Sequence, residues 1–387
     1  MKIKNVLFIF LLLIISNNLR AQEIARVVQI VIDSKILNQK RPVLIYTPKN
    51  YDETNLVSYE VIYVFDSQNR EHFDLVHSSL SYLSKNKFIV VGIVSPYYEE
   101  TDYARNNDYS FTPKNITKQE LFNGYCCNAE KLLDYTENEV VKYIDSNYRT
   151  LPKRVAIGHS LSASFILQTL ILKNNLFDSF IAISPNLAID KQDIIQEYKK
   201  FDFSKQKENK FLYISNADEG KEYWQEWLPA RQKFYEFLQS PSIQNKLKVE
   251  IEDLSTNDHW SVYMPSIIKS LKLYSDYSIK QPEKIYDKEY DITIRVKVPD
   301  NKDQVYITGN QLSLGEWNPS KVKMKNLKNN EREIKIKVNS LTKIQFTRGN
   351  WDTKAFVKNN NEFEDIIIDP IKHNLYEFEI QYWMDKQ

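Results

Sequence analysis

In 387 residues there are only two cysteines, and they are neighbours, Cys126 and Cys127. Adjacent Cα atoms lie about 3.8 Å apart, short of the usual disulfide span. A strained vicinal bridge or two free thiols would both fit, and two free thiols are the expectation. With no disulfide framework the chain must be held by its cores, which 42% hydrophobic and 13% aromatic residues suffice to fill. Net charge is also missing. Lys+Arg 52 against Asp+Glu 51 leaves +1, so nothing electrostatic favours nucleic acid or an anionic membrane as partner. Histidine is scarce at five. No His or Cys set has metal-ligand spacing, so neither metal nor cofactor is predicted. There is no internal repeat and no low-complexity tract.

Long apolar runs are absent except at the start, where Lys2 and Lys4 precede Val6 to Ile15 and polar SNNLRAQ follows. That run is too short for a membrane-spanning helix but suits a signal-peptide core. Cleavage after Ala21 is predicted, giving residues 1–21 as signal peptide and an exported chain, periplasmic or secreted. No cysteine near the boundary suggests a lipid anchor.

Beyond it, near-continuous apolar runs of strand length (YEVIYVF, FIVVGIV, SFIAIS, FLYIS) alternate with stretches of helical spacing. Such runs suit strands buried on both faces. The pattern predicts an α/β domain over 22–278, a mostly parallel sheet with helices on both faces. Polar IKQPEKIYDKEYD then reads as a linker, 279–288. Period-two segments from 289 to 387 predict a small all-β, immunoglobulin-like sandwich.

Within RVAIGHSLSASF, Arg154 to Ile157 reads as a strand, Gly158 opens a turn, and Leu161 to Leu172 has helical spacing. Ser160 therefore falls on an abrupt strand-to-helix turn, the arrangement that lifts a nucleophilic hydroxyl clear of a sheet. The motif is G-x-S-x-G with Ser162 in place of the second glycine. The Leu161 amide is one predicted oxyanion donor. The loop after YEVIYVF supplies Asp66 and Ser67, and the Ser67 amide is the candidate for the second. A serine nucleophile needs a base, which nucleophile-elbow hydrolases place downstream of it. His72 and His77 lie upstream, His159 adjoins Ser160, and His373 belongs to the sandwich. His259 alone remains. The acid should follow a preceding strand, where FLYISNADEG offers Asp218; Glu219 and Glu222 are substitutes. Asp218 as a helix cap is the structural alternative.

These residues resemble the esterase-D-like family of α/β-hydrolases over roughly Ser34 to Tyr277, through RPVLIYTPKNYD, RNNDYSFTP, IGHSLSASF and HWSVYMPSIIKSL. The resemblance implies Ser160 as nucleophile, His259 as base, Leu161 and Ser67 as oxyanion amides, and hydrolysis of carboxylic esters. Acetyl or feruloyl esters on carbohydrate are the first expectation for the substrate, and a catecholate siderophore trilactone or other small ester is the alternative. The last domain is similar to a family 20, starch-binding carbohydrate-binding module through VYITGNQLSLGEWNPSKVKM and IQFTRGNWDTKAF. In that likeness Trp317 matches a sugar platform, Gln345 stands where relatives carry a lysine, and Trp351 falls short of their second tryptophan. Polysaccharide is thus an expected partner. A domain that docks and shapes the esterase cleft is the other reading of the module. The rival function is a glycan-binding protein with an inactive hydrolase domain.

Overall fold

The computed structural model describes residues 25–386 apart from 50, 53–55, 85, 97–103, 207, 282, 284 and 361–364. The predicted signal peptide lies outside the described residues. A hairpin of β1 (Arg26–Ser34) and β2 (Gln39–Thr47) forms one edge of the first sheet. Strands β3 (Tyr59–Val64), β4 (Phe88–Ile93), β5 (Thr150–His159), β6 (Ser179–Ile183), β7 (Lys210–Asn216) and β8 (Leu247–Asp253) complete it in the order β1-β2-β4-β3-β5-β6-β7-β8. All pairs from β4 to β8 are parallel. Central strands such as YEVIYV are buried at every position, because helices cover both faces.

Alternation divides the strand residues between two cores. Val61 and Tyr63 face one side with α2 (Ala104–Tyr109), α3 (Ala129–Tyr135) and α4 (Leu161–Leu172). Ile62 and Val64 face the other, packing with Phe73 of α1 (Arg70–Leu83) and Leu271 of a late helix, Tyr263–Ser278. From β3 the chain moves to β4 on one side and to β5 on the other. Loops leaving the carboxyl ends of β3 and β5 therefore flank a topological switch point, the usual ligand crevice of such sheets.

From residue 285 the chain forms two further sheets, one of four strands (Val322–Lys323, Tyr306–Gly309, Thr342–Thr347, Ile366–Ile368) and one of five that includes Glu331–Ser340, Ile285–Lys297 and Leu375–Trp383, around an apolar core that includes Ile294, Ile307, Phe346 and Trp383. Strand β9 (Ile285–Lys297) begins inside the stretch predicted as linker, where its first residues pair with the Glu331–Ser340 strand. The predicted free thiols are a vicinal disulfide instead. Cys127 takes a φ of 83°, an unusual conformation for a residue other than glycine, and the two adjacent side chains meet.

The sandwich contacts the first domain at the amino ends of the parallel strands. Lys372 Nζ donates to the Thr150 carbonyl at 3.1 Å. Glu283 joins Lys343 (2.7 Å) to Lys153 (3.3 Å), and Leu56 packs against the sandwich core. Ser160 follows the opposite end of β5, about 30 Å away at the usual strand rise. These contacts do not shape the cleft, contrary to one expectation for this domain.

Candidate active site

Ser160 stands between the last residue of β5 and the first of α4 with φ 59° and ψ −117°. A non-glycine residue holds such angles only when its surroundings impose them. Here the Ser160 amide donates to Ile183 O at 2.9 Å and the Ser160 carbonyl accepts from Ser164 N at 3.1 Å. Gly158 makes the turn fit, since a Cβ there would meet Ser162 O at 2.5 Å. The Leu161 amide opens α4, where N–H groups have no intrahelical acceptor.

His259 sits on the loop between β8 and the Tyr263–Ser278 helix and is drawn to the elbow by its own backbone. His159 Nε2 lies 2.8 Å from His259 O; a carbonyl only accepts, so Nε2–H donates. The two imidazole centroids are 4.8 Å apart. His259 Nδ1 is 2.5 Å from Glu219 Oε1. A carboxylate accepts, so Nδ1 carries the proton and the neutral ring keeps its lone pair on Nε2.

The carboxylate that meets the imidazole is therefore Glu219, and the choice of Asp218 is corrected. After β7 the backbone turns Ala217 and Glu219 inward and Asp218 outward, where its carboxylate takes the Tyr223 hydroxyl. Gly220, at φ 91°, then folds the chain back so closely that a Cβ would meet Leu228 Cβ at 2.5 Å. Glu222 is exposed. Glu219 is fully buried and accepts from Ser184 Oγ (2.7 Å), Ala217 N (3.0 Å) and Arg231 (3.4 Å). Burial pushes its carboxyl up, but the hydrogen bonds from His259 and Ser184 outweigh that and hold it below the usual range.

The Ser67 assignment is also corrected. Its amide donates to Ile93 O at 3.0 Å and its hydroxyl to Val64 O at 2.8 Å, so neither is free for an oxyanion. The next amide on this loop, Gln68, donates to no described residue. Sequence reasoning missed the role of Asp66. Its carboxylate is 2.5 Å from Ser162 Oγ, 2.7 Å from Arg105 Nε and 2.8 Å from Gln68 Nε2. Burial raises the Asp66 carboxyl, and the Arg105 charge with these hydrogen bonds brings it below its ordinary value. The serine that replaces the motif's second glycine thus ties the elbow to the β3 loop. Only its departure from glycine hinted at this.

His159 is buried, and burial followed by the nearby His259 and His72 rings lowers it to about 3. An unfolded histidine titrates near 6.5, so the unfolded chain binds the extra proton first. The stability held by neutral His159 is complete above about pH 6.5 and is lost progressively as pH falls toward about 3. Thermal unfolding midpoints should fall over that window, and His159→Asn should flatten the slope; an unchanged slope in the variant would refute the assignment.

In the sandwich, Trp317 is half-buried and Trp351 is 43% exposed. Gln345 is only 4% exposed and donates to Asp365 at 2.7 Å. It is thereby withdrawn as a glycan contact. No described helix is long and apolar enough to cross a membrane, and among the described residues no His, Cys, Asp and Glu cluster could hold a metal.

This fold and elbow define an α/β-hydrolase of the serine-nucleophile architecture. Residues 34–253 match the family described as "Putative esterase", and 289–362 match "Starch binding domain". The chain belongs to that esterase family, a family of carboxylic-ester hydrolases, with a starch-binding-type domain appended. A curated relative, the ferri-bacillibactin esterase BesA of Bacillus subtilis (strain 168), is 28% identical over 131 residues, 33% of this chain. That match spans 45% of the relative's length. Among solved structures, an IroE-like serine hydrolase from Shewanella oneidensis superposes with TM-score 0.56 at 20% identity, covering 65% of this chain and 80% of its own. The siderophore hydrolase EstA from Aspergillus nidulans gives 0.52 at 18%, covering 67% and 96%. At such identities the likeness is one of fold.

Proposed function

We propose that the protein is an exported serine esterase that cleaves carboxylic esters through an acyl-enzyme on Ser160. The strained backbone of Ser160, whose neighbour His159 is hydrogen-bonded to the backbone of His259, together with the Glu219–His259 pair, carries this reading. His259 Nε2 takes the Oγ proton as Oγ bonds to the carbonyl carbon. The oxyanion rests on the Leu161 amide and, in place of Ser67, the Gln68 amide. Collapse breaks the bond to the alcohol oxygen, which leaves with the proton from Nε2. Water then repeats the sequence, and the acid departs from Oγ. Glu219 stays ionised and steadies the imidazolium.

For the substrate, an ester on a carbohydrate is favoured by the appended starch-binding-type domain. At the far end of the sheet that domain would tether the enzyme to polysaccharide. A siderophore lactone is the second reading, supported by the relative that is a ferri-bacillibactin esterase. Ranking acetyl-sugar, feruloyl-sugar and catecholate-lactone esters by kcat/KM decides between them. A preference for the lactone would overturn the first reading. Export is tested by the N-terminal sequence of the secreted chain, expected to start at Gln22.

A further inference from the structure

Three tryptophans surround the imidazole of His259. Trp224 and Trp260 meet its ring edge-on with centroids 4.9 and 5.4 Å away, and Trp227 lies at 5.5 Å. Trp227 is buried, and Trp224 stacks on it at 4.7 Å. Trp224 nonetheless remains 41% exposed and Trp260 77%. Trp224 also holds a φ of 49°. For so bulky a residue this is a genuine outlier, kept only where the surroundings impose it. Two large flat surfaces are thus left open to solvent beside the base, one of them fixed at a cost in backbone energy.

The side of the reaction they serve follows from proton traffic. Acyl carbon and oxyanion belong to Ser160 and its amides, whereas His259 must hand its proton to the leaving oxygen. Groups packed around His259 therefore meet the alcohol half of the ester. The charged side chains beside these tryptophans in sequence are Glu222, Glu226 and Asp258, all exposed, with Lys221 the single opposing charge. An acidic rim repels an anionic catecholate and offers acceptors to hydroxyl groups, while an indole face suits the C–H face of a pyranose.

We infer that Trp224 and Trp260 form the subsite for the alcohol half of the ester, and that this alcohol is an uncharged sugar ring. The inference rests on the serine-esterase reading above. To test it, wild type, Trp224→Ala, Trp260→Ala and the double variant are assayed on three acetates that differ only in the alcohol: an acetylated methyl glucopyranoside, 4-nitrophenyl acetate and ethyl acetate. Fluorophosphonate titration counts competent sites in each preparation. The kcat/KM ratio of sugar ester to ethyl ester should fall about tenfold per tryptophan, mainly through KM, as expected when binding contacts are removed. An unchanged ratio overturns the inference, including the case where all three esters lose equally. A fall confined to the aryl ester overturns the sugar assignment. No turnover of any ester by wild type would refute the serine-esterase reading itself, and this inference with it.

Discussion

Ser160→Ala should lower kcat by about 10⁶-fold, the scale seen when a triad nucleophile is removed. The reason is geometric. The hydroxyl is the one group that the elbow, at φ 59° and ψ −117°, raises from the carboxyl end of β5. With it gone, Leu161 and the β3 loop can still bind a carbonyl, but no covalent acyl-enzyme forms. Residual catalysis from the oxyanion site and binding should remain above water. Covalent labelling by a fluorophosphonate should vanish in the same variant. Alanine keeps the same Cβ and the same backbone conformation, so the fold should stay intact, with a thermal midpoint close to that of wild type. Wild-type turnover in Ser160→Ala would end the proposed mechanism. Tight maltooligosaccharide binding by a wild-type chain whose Ser160 resists fluorophosphonate labelling would instead favour the glycan-binding alternative.

Glu219→Ala should cost about 10⁴-fold in kcat, in line with removal of a triad acid, whereas Asp218→Ala should change it only a few-fold. Removing the Glu219 carboxylate takes away the acceptor of His259 Nδ1, so the imidazole can adopt the wrong tautomer. It also leaves Arg231, 3.4 Å from that carboxylate, without its counter-charge and close to the imidazolium that must form. Among the described residues the Asp218 carboxylate holds the Tyr223 hydroxyl, a contact on the outer side of the turn. The two single variants, assayed for kcat and KM with one ester, give the answer. Equal losses would overturn the assignment to Glu219, and a larger loss in Asp218→Ala would show that the acid is Asp218.

The adjacent carboxylates show where sequence reading reaches its limit. Asp218 and Glu219 have nearly the same composition signal, and the short side chain directly after the strand looked the better placed. Alternation of the backbone after β7, ended by the left-handed Gly220, determined which one enters the core. A glycine next to the acid was the available clue. The Ser67 amide failed for a related reason: it is adjacent to the right loop, yet its N–H continues the hydrogen bonding to Ile93 at the sheet's end. Likewise, Gln345 lies in a strand whose period was legible, but the partner that hides its amide, Asp365, comes from a distant segment.

By itself the sequence determined the layered α/β architecture, the β-sandwich that follows, and the turn that carries Ser160, because runs of apolar residues and their periods are local properties. It also reduced the base to His259, because histidine is scarce and the other four lie upstream of Ser160, beside it or in the sandwich. Tertiary structure decided which carboxylate holds that histidine, that Ser162 is fastened to Asp66 and Arg105, that tryptophans from two loops converge on the imidazole, and that the sandwich sits at the far end of the sheet. Each of these depends on the direction in which a side chain or amide points after the chain has folded. Direction is set by contacts between residues tens to hundreds of positions apart, and no local pattern encodes it.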